Sequence, residues 1–149
     1  MSTDEAVTKE LIETLEDGRE GFAKGAEKLD ATDSPELAAT FRQLSEQRAR
    51  FSNELRELAK DYGDNITESG SVAATLHRGW LSLKDALSGS SPSGVLDAAE
   101  QGEDHAVKEF KKALDDQGIS QGLRTVVKRQ SREVQAAHDQ VRSLRDQKS

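Results

Sequence analysis

The stretch PELAATFRQLSEQRARFSNELREL, residues 35–58, decides the fold. Its apolar residues Leu37, Phe41, Leu44, Phe51, Leu55 and Leu58 recur at steps of three and four, the spacing of one helix face. Arg48 falls on that same face. Ser34 is placed to cap this helix, and Pro35 stands at its first position, where a missing N–H is harmless. The preceding segment carries a matching stripe of Leu11, Leu15, Gly18, Phe22 and Leu29. In an antiparallel hairpin, facing residues have numbers with a constant sum. Leu29–Leu37, Phe22–Leu44, Leu15–Phe51 and Leu11–Leu55 share one sum, and Gly18–Arg48 shares it too. A glycine therefore faces the arginine and leaves room for its long side chain.

A second hairpin follows the same logic. Leu96, Ala99, Glu103, Ala106 and Phe110 form one stripe, and Leu123, Val127, Gln130, Val134, Val141 and Leu144 form the other. The pairs Leu114–Leu123, Phe110–Val127, Glu103–Val134 and Leu96–Val141 have a constant sum. Three of the four stripes thus carry a polar residue near mid-length (Arg48, Glu103, Gln130), and the fourth carries Gly18. Cap signals place helices over about 3–29, 35–62, 71–88, 95–116 and 120–145. Gly89 to Gly94 reads as a Gly/Ser-rich break before the fourth. The third predicted helix, roughly 18 residues, would span about 27 Å, the length of a bundle. The predicted fold is all-α: a single domain over residues 1–149, two antiparallel hairpins joined by a crossover helix, as in ferritin-like four-helix bundles. A weak internal echo fits a duplicated hairpin: Glu16-Asp17-Gly18 returns as Glu100-Gln101-Gly102, with Lys24 and Lys108 in step.

Composition agrees with a bundle. Apolar residues make up 34% of the chain and charged residues 33%, a narrow buried stripe beneath a charged exterior. A net charge of −7 argues against a general nucleic-acid binder. The absence of cysteine removes disulfides, thiolate metal sites and thiol catalysis. No apolar run is long enough to span a membrane, and the first fifteen or so residues lack the basic start and apolar core of a signal peptide. The expected setting is the cytoplasm.

Particular residue groups resemble a known family. They are Leu76-His77-Arg78-Gly79-Trp80, Gly102-Glu103-Asp104 and Ala136-Ala137-His138-Asp139, together with Asp17-Gly18 and Phe22, and Glu46-Gln47-Arg48 and Phe51. In combination they look like a small bacterial family of ferritin-like four-helix-bundle proteins carrying a domain of unknown function. The resemblance covers nearly the whole chain. It implies the ferritin-like fold and a bacterial, cytosolic setting, and it brings no established reaction.

That fold invites a test for di-metal chemistry. Ferritin-like carboxylate sites need Glu-x-x-His on two helices and single inward glutamates on the other two. The residues three places before His77, His105 and His138 are Ala74, Gly102 and Gln135. Glu13, Glu16, Glu20 and Glu27 fall on the outer face of the first helix, as Glu46 and Glu57 do on the second. The inner position there is the cationic Arg48, which would repel a dication. Glu100, Glu103 and His138 are the alternative metal set, for iron or another divalent metal. The preferred reading is a buried polar network: an Arg48–Glu103 ion pair, extended by Gln130 and His138 and given space by Gly18. A small polar pocket for a ligand or proton relay is the functional alternative. His77 and Trp80, one turn apart, are expected to pack the third helix onto the bundle, and His105 to be solvated. Gly89 to Gly94 lacks the Gly-Lys-Ser/Thr of a phosphate loop. No catalytic residues and no cofactor are assigned. Two function classes follow. One is a non-catalytic, stress-associated bundle acting through its surface, as a homodimer or with a protein partner, without nucleic acid or membrane. The other is a metal-binding or oxidative di-iron-type protein with a degenerate site.

Overall fold

The computed structural model describes residues 3–60, 78–80, 82–89 and 91–148. It contains α1 (Thr3–Ala31), α2 (Pro35–Ala59), a 3-10 turn (Arg78–Trp80), α3 (Leu83–Ser88), α4 (Pro92–Asp115) and α5 (Gln121–Lys148). No strand occurs among the described residues. The protein is all-α, and its four long helices pack as a bundle.

Contacts along the seams set the helix directions. The turn at Asp33 (φ 58°) reverses the chain between α1 and α2. Ser45 Oγ of α2 then donates to the Arg19 carbonyl of α1 at 2.8 Å. At the far end Asp4 Oδ1, in the first turn of α1, accepts from the Ser120 amide at 2.7 Å, just before α5. The start of α1 therefore meets the end of α4, and the two run antiparallel. Gln130 of α5 reaches the Phe51 carbonyl of α2, so the start of α5 lies beside the second half of α2. Taken together, α2 and α4 run parallel and lie on opposite corners of the bundle. α2 therefore ends at one end of the bundle and α4 begins at the other.

The third predicted helix differs from expectation. Residues 71–77, with His77, lie outside the described residues. From Arg78 onward the chain is a 3-10 turn and then a six-residue helix, not the end of one long helix. Gly79 presses against α4, where an added Cβ would lie 2.6 Å from His105 Cβ and 2.9 Å from the Gln101 carbonyl oxygen. That close approach, with Trp80 driven between α1 and α4, is incompatible with a regular helix lying along the surface. α4 also begins earlier than predicted. Ser91 caps it through a bond from the Ser93 amide (3.2 Å), and Pro92 stands at its first position. The Ser-Pro pair also starts α2, but there Ser34 makes no side-chain capping bond, contrary to expectation. At the other end of α4, Arg124 donates to the carbonyls of Leu114 and Asp116, both at 2.7 Å, and so closes two of the orphan acceptors of the last turn. The predicted end of α2 at Tyr62 and Gly63 lies outside the described residues.

The apolar core falls into two halves. One gathers Phe22, Leu29, Phe41, Leu44, Trp80, Leu83, Leu96 and Val141. The other gathers Leu11, Leu15, Phe51, Leu55, Phe110, Ile119, Val127 and Val134. Between them lies the level of Gly18, Arg48 and Glu103.

Candidate functional site

At that level the bundle carries a polar layer built from diagonally opposed helices. α2 supplies Arg48, which is 1% exposed, and α4 supplies Glu103, which is 0% exposed. Both face inward because each sits on the apolar stripe of its helix. The two side chains join in a fork: Nη1 donates to Oε1 at 2.6 Å and Nη2 to Oε2 at 2.7 Å. Two parallel charge-assisted bonds are the strongest geometry open to an arginine and a carboxylate. Arg48 Nε donates to Gln47 Oε1 at 3.2 Å. The face of the Phe22 ring lies 5.4 Å from the guanidinium carbon, within cation–π range. Gly18 makes the approach possible, since a Cβ there would stand 3.3 Å from Nη1 and crowd the guanidinium.

The other two members of the expected network lie elsewhere. Gln130 is fully buried, but its amide donates to the Phe51 carbonyl (3.3 Å) and to Glu54 Oε1 (2.9 Å). His138 makes neither of its polar contacts with the central pair. Its Nε2 lies 2.5 Å from Asp104 Oδ1 and its Nδ1 lies 3.2 Å from Asp139 Oδ1. The single network is thus corrected to three separate groups: a diagonal ion pair, a glutamine tie between α2 and α5, and a histidine clasp between α4 and α5. The inward-facing stripe correctly places these residues inside but does not specify which neighbour each one meets.

The alternative metal set does not converge either. Glu100 is bound by Arg142 Nε at 2.9 Å and by Arg145 Nη1, both from α5. Glu103 is occupied by Arg48, and His138 by the two aspartates. Arginine thus already neutralises the two buried carboxylates that a dication would need. No grouping of three His, Asp or Glu side chains that could hold a metal ion exists among the described residues. As they are placed, Glu100, Glu103 and His138 do not gather into a di-metal centre among the described residues.

Trp80, expected with His77 to pack the third helix onto the bundle, lies in the 3-10 turn against α1 and α4. It is 2% exposed and meets the Phe22 ring edge-on, with centroids 5.0 Å apart. Its ring lies in a notch between two helix backbones. A Cβ at Gly21 of α1 would fall 2.4 Å from Cε3, and one at Gly102 of α4 would fall 2.2 Å from Cε2. The glycines of the internal echo, Gly18 and Gly102, therefore make room for different side chains. His105 is half-buried under Gly79, not solvated as expected. Asp17, of the same α1 segment as Gly18, is 2% exposed. Asp104 and Asp139 were also missed as partners of His138. The adjacency of Glu103-Asp104 and of His138-Asp139 was the signal that could have found them. A cleft of about 500 Å³, lined in part by Leu37, Thr40 and Leu144, opens at the α1–α2 turn, remote from the polar layer.

The described residues define the class of this protein as an all-α bundle with an ion pair at its centre. A family model with the description "Domain of unknown function (DUF2383)" matches residues 5–116, three quarters of the chain, and the protein belongs to that family. The match contains Arg48, Glu103 and Trp80, and it ends before Gln130 and His138. The chain matches none of the curated proteins with which it was compared.

Proposed function

We propose that this protein is a ferritin-like bundle of bacterial type that has no di-metal centre and works without catalysis. On this reading it acts in the cytoplasm through its surface, by self-association or by binding a protein partner, in a stress-associated role. The observation that carries the proposal is the bidentate Arg48–Glu103 pair at mid-bundle. In a ferritin-like carboxylate site, that depth is where inward glutamates and histidines hold the metals. A permanent cation stands there instead, and it takes up the carboxylate that faces it. The parallel course of α2 and α4 supports the topology, because it requires one long connection between two hairpins. The pairing of Glu100 and Glu103 with arginines, which occupies both carboxylates, supports a role without catalysis.

Elemental analysis of the purified protein, paired with sedimentation of the same sample after loading with iron, manganese or zinc, tests both halves. The expected result is sub-stoichiometric metal and a concentration-dependent increase in mass. Stoichiometric metal that is lost on Glu103→Ala would overturn the non-metal half. A monomer at all concentrations, with no complex recovered from cells, would overturn the surface half.

A further inference from the structure

The clasp between α4 and α5 has a chemical property that the central pair lacks. His138 is 5% exposed, while its partners reach solvent: the side chains of Asp104 and Asp139 are 47% and 64% exposed. Both ring nitrogens face a carboxylate oxygen, at 2.5 Å and 3.2 Å. An ionised carboxylate only accepts hydrogen bonds. Both contacts are hydrogen bonds at once only when both nitrogens donate, which an imidazole ring does as the imidazolium. The neutral ring would direct one lone pair at a carboxylate oxygen in a nearly dry position.

We propose that His138 is a proton-operated clasp, which grips α5 to α4 when the ring is charged and slackens as pH rises. The charged groups around the ring set its response. From α4 it faces Asp104, with Glu100 one turn away; from its own helix it faces Asp139 and Arg142. Arg145 acts at one remove, because it is bound to Glu100. Burial works against the charged ring, but the bonds to Asp104 and Asp139 and the charge of Asp104 outweigh it, and Arg142 opposes them only in part. The balance holds the ring above the ordinary histidine value of 6.5. The same contact lowers Asp139, chiefly through its bond to His138.

The sign of the linkage follows. A group whose folded-state pKa is raised contributes stability that is fully present below its unfolded value, near pH 6.5, and is lost as pH climbs through the folded value. Each unit of upward shift is a tenfold change in the ratio of folded to unfolded molecules across that window. The bundle thus gains from mild acidification, in the range where a solvent-exposed histidine would only be gaining charge.

The test is an NMR pH titration of the intact protein from pH 5 to 9, with the His138 signal assigned by its loss in His138→Gln. Urea unfolding of the wild-type, His138→Gln and Asp104→Asn proteins runs alongside. The expected midpoint for His138 lies above 6.5 and falls in Asp104→Asn, which keeps an acceptor but removes the charge. The stability advantage of wild type over His138→Gln should be greatest below pH 6.5 and shrink above it. A midpoint at or below 6.5, or an advantage equal at every pH, overturns the proposal. If His138→Gln does not fold, the wild-type and Asp104→Asn midpoints decide it.

Discussion

Replacing Arg48 with methionine should convert Glu103 from a neutralised group into a buried, uncompensated charge. Both oxygens of Glu103 receive their bonds from Arg48, and the residue has no solvent exposure. Breaking one side of such a pair costs about 3–5 kcal/mol. An independent limit agrees. A stranded carboxylate can escape by taking up a proton, and holding one at pH 7 costs a glutamic acid about 3.7 kcal/mol from its ordinary pKa. The loss in Arg48→Met should therefore shrink by up to about 1.4 kcal/mol for each unit that pH is lowered. Glu103→Leu should show no such relief, because the guanidinium does not give up its proton. It keeps only the Gln47 bond and the Phe22 face as partial compensation. The double variant, Arg48→Met with Glu103→Leu, fills the layer with apolar volume and should cost less than about 1.5 kcal/mol, or stabilise. The assay is urea unfolding of all four proteins at pH 7 and pH 5.5, read as a double-mutant cycle. A coupling of at least about 3 kcal/mol is expected. Additive losses, or an Arg48→Met penalty that ignores pH, would refute the claim that the charges exist for each other.

Two further outcomes follow from local geometry. Gly21→Ala or Gly102→Ala should expel the Trp80 ring. After the helix-propensity gain of alanine, each should cost about 1–3 kcal/mol, seen as a red-shifted emission and a lower urea midpoint; unchanged emission would show that the notch is not tight. Arg124→Ala removes the bonds to the Leu114 and Asp116 carbonyls and should cost about 1–2 kcal/mol, with faster amide exchange confined to the α4–α5 turn, and uniform exchange would count against it.

Much of this architecture could be read in the chain because helix periodicity is a strong signal. The close approaches of Gly18 to Arg48 and of Gly25 to Phe41 keep the constant sum of the first hairpin, and a charge on an apolar stripe has few partners at its own depth. That is why Arg48 and Glu103 could be matched across helices that are far apart in sequence. The same reasoning failed for Gln130 and His138. Periodicity separates inside from outside, but whether an inward residue leans to its left or right neighbour depends on side-chain direction a few ångströms off the seam. Gln130 leans to the α2 side and His138 to the α4 side. The segment at residues 78–88 was misread for another reason. Its residues have acceptable helix character, and the 3-10 turn exists because Gly79 and Trp80 must approach α4 closely, a tertiary demand that overrides propensity. The glycines at 21 and 102 reveal their purpose only beside the ring that they admit.

The notch around Trp80 also makes the molecule report on itself. This is the only tryptophan in the chain, and it stands where α1, α4 and the 3-10 turn meet. Its emission is therefore an optical readout of one junction. Fraying at the ends of α5 would leave the light unchanged, while detachment of the 3-10 turn at Arg78–Trp80 would alter it even with the four long helices intact. Comparing that emission with helix content by circular dichroism separates two events within one small domain. Coincident curves mean that the Trp80 junction is part of the cooperative unit, and a fluorescence change that comes first means that Trp80 leaves its notch while the four long helices stay closed.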